Sequence, residues 1–148
     1  MKLHRLVRLA TPLALLATAQ FAVAATLAVS KSPTCGCCGE WVQRMRSAGF
    51  TVTVSEVPDP AVVSRKLGVP ETLRSCHTTR IDGYVIEGHV PAADIRRLLR
   101  EKPKAIGLSV AGMPMGAPGM EHGGHVQRFN TILIGRDGRQ TVWARHGG

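Results

Sequence analysis

The sequence predicts one α/β domain that ends in an added β-hairpin. Three observations carry this. An apolar segment, Thr26 to Ser30, runs into a cysteine-rich turn and then into a helical pattern. Strand-like and helix-like segments then alternate as far as Glu101. Two β-rich segments near the C-terminus flank Asp137-Gly138, a strong hairpin signal.

Each element has a local reason. Thr26 to Ser30 alternates as a half-buried strand does. Lys31 to Gly39 (KSPTCGCCG) is rich in turn formers and reads as a loop. Glu40 to Ala48 has helical character, and Gly49 supplies the left-handed residue that ends it. Phe50 to Val57 places β-branched residues at alternate positions, the clearest strand pattern in the chain. Pro58-Asp59-Pro60 interrupts it, and Ala61 to Leu67 forms a short helix closed by Gly68 and Pro70. Glu71 to His77 has no clean period. Thr78 to Ile81 and Tyr84 to Glu87 are strands around the turn Asp82-Gly83. Pro91 opens a helix over Ala92 to Glu101, where its missing N–H costs nothing, and Pro103 stops it. Gly107 to Gly124 is rich in Gly, Pro and Met and reads as a loop. Phe129 to Ile134 and Gln140 to Ala144 form the hairpin. A strand leading into a cysteine turn and a helix opens a thioredoxin-like domain. The expected architecture is therefore a thioredoxin-like sandwich with an added C-terminal β-hairpin.

Composition narrows the function. With 148 residues, the chain has room for one ordinary domain. Only 4% of residues are aromatic, too few for a base-stacking platform. The net charge is +9, but Lys2, Arg5 and Arg8 contribute three of those charges. The basic cluster Arg96, Arg97, Arg100, Lys102 and Lys104 follows helical spacing and reads as a solvated face. No groove-reading motif accompanies the charge, so nucleic acid is not an expected partner.

Residues 1–24 read as a cleaved secretory signal. Lys2, Arg5 and Arg8 precede an apolar stretch from Leu9 to Phe21, and Ala22-Val23-Ala24 is a small-x-small cleavage site. Pro12 and the short apolar length argue against a spanning helix, which needs about 20 apolar residues. The expected mature chain is residues 25–148, in the periplasm, with no membrane association after cleavage. Disulfides persist in that compartment.

Cys35-Gly36-Cys37-Cys38 is the most informative stretch. Cys35 and Cys38 have C-x-x-C spacing, and Cys37 adds a third thiol. At a helix N-terminus, unpaired N–H groups and the dipole favour thiolate. Thiolate is both the nucleophile of disulfide exchange and a ligand for soft metals. Three thiols in four residues favour metal, because exchange needs two and a third invites scrambling. A Cys37–Cys38 bridge would be strained: adjacent Cα atoms lie about 3.8 Å apart, against the usual 5.5–6 Å or so. Clustered thiolates suit Cu(I) and permit more than one ion. The tight run differs from the spaced pairs of zinc ribbons. Two alternatives stand beside metal: an exchange dithiol with Cys35 attacking and Cys38 resolving, and ordinary disulfides in which Cys76 closes on one of the three.

Cys76-His77 is the expected second half of the site. In the predicted topology the loop before the third strand lies beside the first cysteine loop. Many thioredoxin enzymes carry a cis-proline there; this chain has Ser75-Cys76-His77-Thr78. His77 and, at a strand-to-helix junction, His89 are candidate ligands. Between Met113 and His125 the chain packs three Met and two His among Gly and Pro. Thioether and imidazole are copper ligands. That run is too broken for a core stripe. At least one of these Met residues is a candidate copper ligand, and His122 and His125 read as exposed. His146 is assigned no role.

These stretches together resemble the CopG-type periplasmic copper-resistance family, long catalogued as a metal-binding domain of unknown function. The resemblance rests on Lys31 to Trp41 (KSPTCGCCGEW), Cys76-His77-Thr78, Asp82 to Pro91 (DGYVIEGHVP), Gly107-Leu108, Gly112-Met113-Pro114 and Pro118 to Glu121. It implies a thioredoxin-like fold and four cysteines, Cys35, Cys37, Cys38 and Cys76, that gather copper. It also points to His77, His89, Met113 and Met120. Ala111 and Ala117 depart from the family's Pro and Ser. The implied role is copper tolerance by sequestration, transfer or redox handling, with copper ions and other periplasmic copper-handling proteins as partners. Whether the chain turns over as an enzyme stays open at this stage.

Overall fold

A computed structural model describes residues 25–148. The signal expected over residues 1–24 lies outside the described residues. The elements are β1 (Thr26–Lys31), α1 (Gly36–Ser47), β2 (Thr51–Glu56), α2 (Pro60–Lys66), a 3-10 turn (Glu71–Leu73), β3 (His77–Ile81), β4 (Tyr84–Glu87), α3 (Ala92–Glu101), β5 (Ala105–Ser109), β6 (Phe129–Gly135) and β7 (Gln140–His146). All seven strands form one sheet in the order β2-β1-β3-β4-β5-β6-β7. The order of elements from β1 to α3 is the predicted one, and β6 and β7 form the predicted hairpin.

Two boundaries correct the sequence reading. The segment expected as loop from Gly107 contains most of β5, which pairs parallel with β4 and antiparallel with β6. A strand paired on both edges and buried over most of its length has no polar alternation to reveal it. Gly107 also looks like a strand breaker, yet it is required. A Cβ there would collide with the Val85 carbonyl of β4. Helix α1 begins at Gly36 rather than Glu40, so Cys37 and Cys38 lie in its first turn. Glycines at 36 and 39 hide that turn from a propensity reading.

The core forms on both faces of the sheet. Leu27, Val29, Ile81, Ile86 and Leu108 meet Trp41, Val42 and Met45 of α1 and Ile95 and Leu98 of α3. A smaller cluster joins Val69, Leu73, Val85 and Ile134. Each fully buried aliphatic side chain contributes about 1.5–3 kcal/mol. Asp59 accepts a hydrogen bond from the Ala61 N–H at 2.9 Å and caps α2, whose second residue is reached through Pro60.

The hairpin is tied to α3 by polar contacts. Asp94 Oδ2 accepts from Thr131 Oγ1 at 2.6 Å and lies 2.9 Å from His146 Nε2. The Arg97 guanidinium stacks 3.8 Å from the Trp143 ring centroid and donates to the Trp143 carbonyl at 2.8 Å. His146 thus anchors the last strand, a role its place in the tail did not announce. Asp94→Ala is expected to cost about 1–3 kcal/mol, since it leaves the buried Thr131 hydroxyl short of its acceptor. A urea midpoint and hydrogen exchange confined to β6 and β7 check this.

Candidate metal centre

The registers bring the site together. Lys31 pairs with His77, Thr78 with Glu87, and Glu87 with Ser109. These residues form one row at one end of the sheet. The loop into α1 leaves this row from β1, Ser75-Cys76 enters it at β3, His89 leaves it from β4, and the Met loop leaves it from β5. In open α/β sheets, ligands bind beyond such strand ends.

Cys35 precedes α1 directly, and Cys37 and Cys38 sit in its first turn. No acidic residue offsets the positive end of that helix. Cys35 and Cys38 are joined by a disulfide, while Cys37 and Cys76 are free. The pairing in which Cys76 closes on another cysteine is not formed. Cys37 Sγ lies 3.6 Å from Cys35 Sγ, and Cys38 Sγ lies 3.6 Å from the Cys76 carbonyl oxygen. The sulfurs of Cys35, Cys37, Cys38 and Cys76 all lie within 4.8 Å of one another.

A second set shares Cys76. Its sulfur is 3.4 Å from His77 Nδ1 and 3.1 Å from His89 Nε2. The three donor atoms lie within 4.8 Å of one another. His89 Nδ1 is 2.8 Å from the Pro118 carbonyl. A carbonyl only accepts, so Nδ1 carries the hydrogen and neutral His89 turns the lone pair of Nε2 toward Cys76. His77 is fully buried, with its ring 4.6 Å from Trp41 and edge-on to His89 at 5.1 Å. Its Nε2 is buried without a partner.

Burial dominates the proton affinities. It pushes the Cys76 thiol up to about 12, the nearby Cys37 adds to the rise, and the Ser75 hydroxyl partly opposes it. It holds His77 down at about 3, with His89 beside it as a second cause. It lowers His89 as well, against the pull of the Pro118 carbonyl. Without a metal, burial therefore keeps the proton on the Cys76 sulfur, within reach of both His77 Nδ1 and His89 Nε2. Folded His77 stays neutral where an unfolded histidine would take a proton. The stability this provides is complete above about pH 6.5 and is lost as pH falls from there toward 3. The melting temperature of the metal-free chain is expected to fall steadily from pH 6.5 to 4, as thermal unfolding across that range measures.

The supports of Cys76-His77 were not singled out in the sequence. Glu87 is fully buried. Its Oε1 accepts from the Ser75 N–H at 2.8 Å and its Oε2 from the Thr78 hydroxyl at 2.8 Å. One carboxylate thus clamps both ends of the dipeptide, and burial raises its proton affinity above the ordinary carboxyl value. A glutamate between Ile86 and Gly88 in a strand was the available signal.

The Met loop lies on α1. Gly119 has φ +84°, and a Cβ there would stand 2.7 Å from Trp41 N and 2.9 Å from the Cys37 carbonyl. Glu121 accepts from the Gly119 N–H at 2.7 Å and pairs with Arg44 at 3.4 Å. Met120 is half-buried on this segment, whereas Met113 is 54% exposed. His122 and His125 are exposed, as expected. Gly119→Ala is expected to cost about 1–3 kcal/mol through crowding and positive φ. Because Pro118 is adjacent, the same change should free His89 from its carbonyl. A lowered melting temperature with a shifted His89 ring resonance would show both.

A family model described as a protein of unknown function, DUF411, matches residues 73–120. No curated protein sequence matches significantly. Two solved structures, of copper resistance protein CopG in form 2 and form 1, superpose with TM-scores of 0.80 and 0.78. Each is 41% identical to this chain, covering 83% of it and 98% of the solved chain. The chain belongs to the CopG copper-resistance family. The CopG match extends well beyond the segment that carries Cys76, His77, His89, Met113 and Met120.

Proposed function

We propose that this CopG-family chain is an exported copper-binding protein that holds Cu(I) on Cys35, Cys37, Cys38 and Cys76. The observation that carries the reading is the convergence of four sulfurs, from two segments far apart in sequence, within 4.8 Å at a helix N-terminus. Soft thiolates in low coordination suit Cu(I), and shared sulfurs allow more than one ion. His77 and His89 stand beside the cluster as further ligands. Met113 and Met120, on the adjoining loop, serve to cover the site or to exchange metal. Copper tolerance follows by sequestration, by transfer to other periplasmic copper-handling proteins or by redox handling. Residues 1–24 act as the export signal. Among the described residues, no helix is long and apolar enough to cross a membrane. The β-α-β arrangement around the cysteines is read as thioredoxin-like.

The Cys35–Cys38 disulfide favours a second reading, a thiol-disulfide oxidoreductase. One experiment separates the two. The full sequence is expressed, and the chain is recovered from the periplasmic fraction, checked by mass for a start at Ala25, reduced and loaded with Cu(I) without oxygen. More than one copper per chain is expected, with the thiols protected from alkylation and copper lowered in Cys37→Ser. No retained copper, together with a Cys35–Cys38 disulfide that exchanges at roughly −120 to −270 mV, would establish the oxidoreductase instead.

A further inference from the structure

The end of the sheet opposite the metal centre carries a cavity of its own. Helix α2 is short and stops at Lys66. Past its end a hollow of about 260 Å³ opens, walled by Leu67, floored by Val85, Ala105 and Ile106, and rimmed by Arg80 and Arg136. Val85 and Ala105 are buried and Leu67 and Ile106 half-buried, so the floor is apolar, whereas both arginines are exposed. They come from distant parts of the chain: Arg80 lies in β3, beside Val85 in the register, and Arg136 follows β6. Arg136 is partly fixed, because its Nε donates to the Ala105 carbonyl at 3.3 Å and leaves both Nη groups for another partner. Neither arginine forms an ion pair among the described residues. The neighbouring acids are turned elsewhere. Asp82 lines a separate hollow with Leu99 and Lys102, and Asp137 pairs with Arg139 at 3.8 Å. Arg65 and Lys66, exposed in the last turn of α2, add positive charge beside the Leu67 wall.

We propose that this cavity binds a small organic anion. Its phosphate or carboxylate head sits between Arg80 and Arg136, and its apolar part rests on Val85 and Ile106. Guanidinium forks match the paired oxygens of both head groups. Two like charges on one rim repel, and an anion between them turns that repulsion into attraction. The floor favours an anion that carries an apolar group, since covering Val85 and Ile106 removes apolar surface from water. The hollow is small beside the roughly 300–1,000 Å³ of most ligand pockets, so it fits a small molecule or the head of a larger one. A free organic phosphate or carboxylate and the head group of an anionic lipid offer the same chemistry. The cavity shares no residue with the copper donors, so it stands or falls independently of the copper reading.

The test titrates phenyl phosphate, benzoate and inorganic phosphate into the purified chain and follows the Val85 and Ile106 methyl resonances. Saturable shifts of both residues are expected with phenyl phosphate or benzoate, and inorganic phosphate should bind at least about 10-fold more weakly for want of the ring. Arg80→Gln and Arg136→Gln should each weaken binding by at least about 10-fold. Arg80 makes no side-chain hydrogen bond in the fold, so its variant keeps the test sound even if Arg136→Gln disturbs the turn after β6. Arg128→Gln removes the same charge at the other end of β6 and should change binding by less than about 2-fold, because salt screens a distant charge. Vesicles of phosphatidylglycerol with phosphatidylcholine separate the two sources. Co-sedimentation that Arg80→Gln abolishes would assign the anion to a lipid head group, and soluble binding without co-sedimentation would assign it to a free molecule. The proposal is overturned if no probe shifts the methyls saturably, or if inorganic phosphate binds as tightly as phenyl phosphate. Equal weakening in Arg80→Gln and Arg128→Gln would also overturn it, as general attraction to a basic chain.

Discussion

Cys76→Ser is expected to remove more copper than loss of any other single cysteine. Cys35, Cys37 and Cys38 each belong to one donor set, whereas Cys76 belongs to both. Its loss leaves three sulfurs in the first set and no sulfur in the second. A serine hydroxyl is a hard donor and does not replace a thiolate for Cu(I). Loss of an outer hydrogen-bond partner alone commonly costs 10–100-fold in metal affinity, so loss of this shared ligand should exceed about 100-fold. The fold should tolerate the change, because serine is close in size and the Glu87 clamp acts on Ser75 and Thr78 rather than on the thiol. The check is copper per chain after dialysis against a competing thiol, for all four single Cys→Ser variants, with melting temperatures measured in parallel. Wild-type copper in Cys76→Ser would sink the shared-ligand argument. The same variant separates the readings of function, since an exchange dithiol at Cys35 and Cys38 does not require Cys76.

Local chemistry made much of this legible in advance. The C-x-C-C run, the strand before it and the cap at Gly49 are local signals, and the structure keeps them. The Asp137-Gly138 turn announced its hairpin for the same reason. Features decided by distant partners were not readable. β5 is a strand because β4 and β6 flank it, and Gly107 is needed there because the Val85 backbone is close. Glu87 reads as an ordinary polar residue until its partners, Ser75 and Thr78, are known. His146 looked like tail until α3 brought Asp94 beneath it. The candidate donors were named from spacing, but the split into two sets depends on which ring nitrogen faces Cys76. Backbone register and the Pro118 carbonyl decide that.

Trp41 joins the stability of the fold to the geometry of the site, and Trp41→Ala should damage both. The side chain is fully buried among core residues from β1, β3, β4 and α3. Truncating a buried tryptophan costs about 3–5 kcal/mol. Its indole N–H also donates to the Val90 carbonyl at 3.0 Å, one residue from His89, and that acceptor would be left unpaired. For a chain of this size the combined loss should lower the melting temperature by roughly 10–20 °C. The ring also supports one face of His77, with centroids 4.6 Å apart, so its removal opens space into which that imidazole can turn. Copper bound to the reduced chain should therefore lose a nitrogen neighbour when Trp41→Ala is introduced, at a temperature where the chain remains folded. Trp41→Phe provides the control: it keeps an aromatic ring against His77 while losing the N–H donor and part of the indole's volume. Its stability loss should be the smaller one, at about 1–3 kcal/mol, and its copper should keep both nitrogens. Equal loss of nitrogen ligation in both variants would assign the effect to the Val90 hydrogen bond rather than to the ring.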